Sequence, residues 1–90
     1  MTIRRLACFT HQEEDYLGVM FYDNYVVLHQ LSTNRYCKLT GHRSFVGNLV
    51  HTSRGGMVVT GGMDHRISLV ELAKIPENKW TKANLMATHA

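Results

Sequence analysis

Apolar and polar side chains alternate along most of the chain, and where the alternation lapses the apolar runs are short. Tyr16–Tyr22, Tyr25–Leu31 and Arg66–Leu72 show the pattern best, each bounded by Gly, Asn, Asp or Ser. A period of two is the spacing of a strand that buries one face. Strands are therefore expected at about Ile3–Thr10, Tyr16–Tyr22, Tyr25–Leu31, Arg35–Thr40, Phe45–His51, Met57–Gly61, Arg66–Leu72 and Ala83–Thr88. No long stretch holds a helical period, the nearest being Glu77–Ala87. The pattern predicts an all-β protein.

The strands come in two matching sets. Asp23–Leu31 (DNYVVLHQL) and Asp64–Leu72 (DHRISLVEL) superpose at an offset of 41 residues, each placing an acid in a tight turn ahead of a strand that ends in leucine. Tyr16–Tyr22 matches Met57–Met63 at the same offset, and Ile3–Thr10 falls near Ser44–His51. The connection after Leu72 is longer than the one after Leu31 and carries Pro76, Asn78 and Trp80. A period of about 40 residues with four strands per unit is the mark of a propeller blade. Two units follow, residues 1–40 and residues 41–90.

The second unit carries a recognisable motif. Gly41-His42, the strand around Phe45–Val50, Thr60-Gly61 ahead of Asp64, and the strand Ile67–Leu72 resemble a WD40 repeat, with Val70-Glu71 where the family has Trp-Asp. The first unit keeps Asp23 but has Val19 in the threonine place and His29-Gln30 in the Trp-Asp place. The resemblance implies antiparallel four-stranded blades of a β-propeller, and a buried network of His42, Thr60 and Asp64 with Val70 packing beside it. It also implies a non-enzymatic scaffold that binds protein partners within a larger assembly.

Composition narrows the chemistry. Ninety residues with 44% apolar and 19% charged side chains suit one small globular domain, and no stretch reaches the length of a membrane span. An intracellular, cytoplasmic setting is the default expectation, since the N-terminus lacks the continuous apolar segment of a signal peptide. The charge of +3 comes from scattered Lys and Arg, so an RNA-contacting role in a ribonucleoprotein stays as an alternative, with Arg35, Lys38, Arg43, Arg54 and Arg66 as its contacts. Cys8 and Cys37 are expected to be reduced, partly buried thiols. Six histidines without metal-ligand spacing predict no metal, and no cofactor motif is present.

His42, Thr60 and Asp64 also contain the residue types of a nucleophile–base–acid set. No elbow or helix N-terminus accompanies them, so no catalytic role is expected. Gly55-Gly56 reads as a hairpin turn requiring positive φ, and Gly61-Gly62 as a place where adjacent strands approach closely. Partner contacts are expected in the turns, at Trp80, Arg66, His65, Arg54 and Arg35, with Trp80 either the leading anchor or packed back over its own blade.

Two blades leave two apolar sheet faces uncovered. The chain opens on an inner strand and reaches Thr88-His89 as another Gly-His step would begin, so it reads as a slice of a longer array. Completion is expected from more of the same protein, from another chain or from self-association. A role as an accessory segment of a larger enzyme is the remaining alternative.

Overall fold

A computed structural model describes residues 2–82 of the chain. The expected strand Ala83–Thr88 and the Thr88-His89 step lie outside the described residues. The strands are β1 (Ile3–His11), β2 (Glu14–Phe21), β3 (Val26–Gln30), β4 (Arg35–Leu39), β5 (Val46–Thr52), β6 (Met57–Gly62), β7 (Ile67–Glu71) and β8 (Thr81–Lys82). Two short 3-10 turns, Leu72–Lys74 and Glu77–Lys79, separate β7 from β8. The seven strands expected between Ile3 and Leu72 are all present, because alternation over five or more residues leaves few other ways to bury the apolar half.

All pairings are antiparallel, in two sheets of order β1-β2-β3-β4-β8 and β5-β6-β7. Among the described residues the expected four strands per sheet are thus found as five and three. The difference lies in β8, which crosses back to the free edge of β4, placing Arg35 opposite Lys82 and Tyr36 opposite Thr81.

Each strand of the first sheet turns one row inward. Tyr16, Gly18, Met20, Val26, Leu28 and Cys37 are buried, while their neighbours Leu17, Val19 and Val27 face outward and are only half-covered. The buried row meets Val46, Leu49 and Val58 of the second sheet in a single core, and Leu72 closes it. Gly18 leaves room for this contact, since a Cβ on it would stand 2.8 Å from Leu49 Cδ1 and the leucine would have to shift. At the far end of the strands Arg4 Nη1 donates to the carbonyls of Val46 and Gly47, at 3.3 and 3.1 Å.

The pairing refines the repeat. Gly18, Met20, Val26 and Leu28 map onto Val59, Gly61, Ile67 and Leu69 at the offset of 41. Leu6, however, lies opposite Val19 and Leu49 opposite Thr60, so β1 maps onto β5 two positions further along than the sequence match. The β5–β6 turn has four residues against two in the β1–β2 turn, but its paired arms are shorter, so Leu49 and Thr60 are 11 positions apart where Leu6 and Val19 are 13.

The segment from Leu72 to Lys82 forms a strap between the sheets. Leu72 N–H donates to the Gly56 carbonyl at 2.9 Å, and Ile75 and Trp80 pack against the core margin. Trp80 lies 6.4 Å from the Tyr16 ring and beneath the Arg35 guanidinium at 5.2 Å, and Arg35 also pairs with Glu77.

Candidate functional site

The fold brings His42, Thr60 and Asp64 together at one end of the second sheet. Thr60 is held by β6, Asp64 by the turn joining β6 to β7, and His42 by the connection leading into β5. His42 Nδ1 stands 3.2 Å from Asp64 Oδ1, and its Nε2 stands 2.9 Å from Thr60 Oγ1. With Nδ1–H donating to the carboxylate, Nε2 is left to accept the Thr60 hydroxyl proton. Asp64 also accepts the Arg43 amide at 2.7 Å and the Arg66 amide at 3.2 Å. The side chains of His42 and Asp64 are only 4% and 6% exposed.

Those amides set the acidity of Asp64. The Arg43 N–H pointing at its Oδ2 is the largest influence, with burial opposing it and His42 and the Arg66 N–H adding to it. Together they lower the carboxyl from 3.8 to about 2. The carboxylate is spent on fixing two backbone turns and a ring, and Thr60 is 4% exposed. A nucleophile needs access to substrate, and the Thr60 hydroxyl is buried.

Gly61 and Gly62 divide unequally. The turn closes with His65 N–H on the Gly62 carbonyl at 3.3 Å and Gly62 N–H on the Arg66 carbonyl at 3.0 Å, and His65 takes the positive φ of 63°. A Cβ on Gly62 would stand 2.5 Å from both His42 Nδ1 and Asp64 Oδ1, whereas one on Gly61 meets nothing within 4 Å. The small residue is therefore needed to admit two side chains, not for the close strand approach expected from sequence. Gly62→Ala is expected to lower stability by about 1–2 kcal/mol by forcing the pair apart, and Gly61→Ala by less than about 0.5 kcal/mol. Paired urea titrations check this, and equal midpoints would remove the special role of Gly62. Gly55 and Gly56 do take the positive φ their turn requires, 83° and 60°.

The expected contact residues separate into two groups. Antiparallel strands place the β6–β7 turn, with exposed His65 and Arg66, at one end and the β5–β6 turn, with exposed Arg54, at the other. Arg35 and Trp80 lie at the Arg54 end, but they are engaged with Gln30, Glu77, Tyr16 and each other. Of the two expectations for Trp80, the structure places it as a half-buried part of the strap, packed beside Tyr16 and Arg35. Of the expected set, Arg54, His65 and Arg66 remain open at the rim.

The pairing of two histidines escaped the sequence reading. His11 and His51 come together across the sheets, with Nδ1 and Nε2 3.4 Å apart and the His51 ring stacked 4.5 Å from Phe9. Burial chiefly, and His11 next, push the His51 imidazole below its usual pKa. No group of three metal-binding side chains forms among the described residues. Cys8 is exposed rather than partly buried, and Cys37 is buried on the opposite face of its sheet, so the two thiols are free. Burial pushes the Cys37 thiol up, with Lys79 partly offsetting it. Comparison with known protein families, curated proteins and solved structures gives no match.

Proposed function

We propose that the chain is a non-catalytic scaffold segment built from two WD-like β-propeller blades, which binds protein partners through its turns inside a larger assembly. The observation that carries this reading is the His42–Thr60–Asp64 network. Its side chains point into packing, satisfy one another and two backbone amides, and leave none of its oxygens for a substrate. Residues of catalytic type are consumed by architecture, which leaves recognition at the turns. No helix among the described residues is long and apolar enough to cross a membrane. Arg54 at one end, and His65 with Arg66 at the other, are the side chains assigned to partner contact.

Affinity capture with the full chain tests the reading. A protein partner should be retained near stoichiometry at high salt, and Arg54→Glu should lower retention about tenfold or more without changing the melting temperature; Arg66→Glu should lower retention too, and it also lowers the melting temperature because it sets a second carboxylate beside Asp64. Retention that falls steeply with salt and disappears on nuclease treatment would replace the protein partner with RNA.

A further inference from the structure

The repeat and the packing together indicate what covers the two sheet faces that the described residues leave bare. A shift of 41 positions carries the buried Gly18, Met20, Val26 and Leu28 of the first sheet onto Val59, Gly61, Ile67 and Leu69, the outer face of the second. The same shift carries the outward-facing Leu17, Val19, Phe21 and Val27 onto Val58, Thr60, Gly62 and Ser68, the face that packs inside the chain. The sheets are stacked in the same sense. Each bare face is therefore the counterpart of a face that already has its partner within the molecule.

Both bare faces are apolar at their centres, with His29 and Lys38 toward one edge of the first and Asn48 and Glu71 at the margins of the second. Ile67 is 72%, Leu69 62% and Val50 54% exposed on the second sheet, and Leu6 is 56% exposed on the first. We infer that a second copy of this chain docks head-to-tail, with Leu6, Val19, Phe21 and Val27 of its first sheet against Val59, Ile67 and Leu69 of the other copy's second sheet.

The side chains at this pairing differ from those inside the chain at one point, where the counterpart of Gly18 is Val59. Inside the chain Leu49 sits over Gly18, which is paired with Leu28. Leu6 is the counterpart of Leu49, and the outer face it would meet has its dimple at Gly61, paired with Ile67 and open within 4 Å. The dimple has moved one pleat step along the strand. Val19, Phe21 and Val27 also replace Thr60, Gly62 and Ser68, so this contact carries no polar network and is driven by apolar burial.

A pairing of either face with itself has no counterpart inside the molecule. The head-to-tail contact is the one the fold already makes once, and it closes into a ring or extends according to the rotation per copy. The inference rests on the repeat and the faces, independently of what the turns bind.

Sedimentation velocity on the full chain tests it. The unmodified chain should associate with rising concentration. Leu6→Glu and Leu69→Glu should each be monomeric, with the dissociation constant raised about a hundredfold or more by the buried carboxylate. Mixed in equal amounts, the two variants should form a dimer and nothing larger, because each retains the face the other lacks. Circular dichroism confirms folding, and Ile67→Glu repeats the second-sheet arm should Leu69→Glu not fold. A chain that stays monomeric at every concentration, a single variant that still self-associates, or a mixture that stays monomeric each overturns the inference.

Discussion

Replacing Asp64 with alanine is expected to lower the melting temperature by on the order of 15 °C. The loss follows from what the carboxylate holds. Two backbone amides, of Arg43 and Arg66, and one ring nitrogen of His42 lose their acceptor at once. Asn at the same position keeps the shape and one acceptor oxygen, so it should fall between alanine and the natural residue.

The same carboxylate gives a pH signature of defined sign. Its pKa is about 2 in the folded chain against 3.8 ordinarily, so the stability it contributes is fully present above about pH 4. That contribution is lost as pH falls from there through 2. The gap in melting temperature between the unmodified chain and Asp64→Asn should therefore narrow across that window. A gap of constant width from pH 6 to about 2 would show that the amides do not hold the charged form.

Trp80→Ala is expected to cost about 2–3 kcal/mol, less than full truncation of a buried tryptophan because this ring is only half-covered. It removes the contact with Tyr16 and the surface on which Arg35 lies. Trp80→Phe should recover more than half of the loss, since a ring remains beside Tyr16. Chemical denaturation of the three proteins measures this. Equal midpoints for all three would mean that the strap is held by Leu72 and Ile75 without help from the indole.

The strands from Ile3 to Leu72 were legible because each needs only its own residues to show a buried face. The histidine network was legible because its members sit in a motif with fixed spacing, Gly41-His42 ahead of Thr60 and Asp64. The strap was not. Thr81–Lys82 is two polar residues long and has no alternation to read, and its partner, Arg35-Tyr36, lies far earlier in the chain. Trp80 looked like a loop anchor for the same reason, since Tyr16 and Arg35 are neighbours only after folding. Gly61 and Gly62 are identical as letters and differ only in what lies beyond their Cα atoms. His11 and His51 meet because β1 and β5 cross at the sheet seam, which no local spacing encodes.

A row of stacked repeats is ordinarily free to melt from its ends, each unit depending only on its neighbours. The strap removes that freedom here. It leaves the second sheet at Leu72 and is stitched to the outer edge of the first at Tyr36, so opening either sheet pulls on the other. The two repeats are therefore expected to unfold together as one cooperative unit, with neither acting as the weaker end.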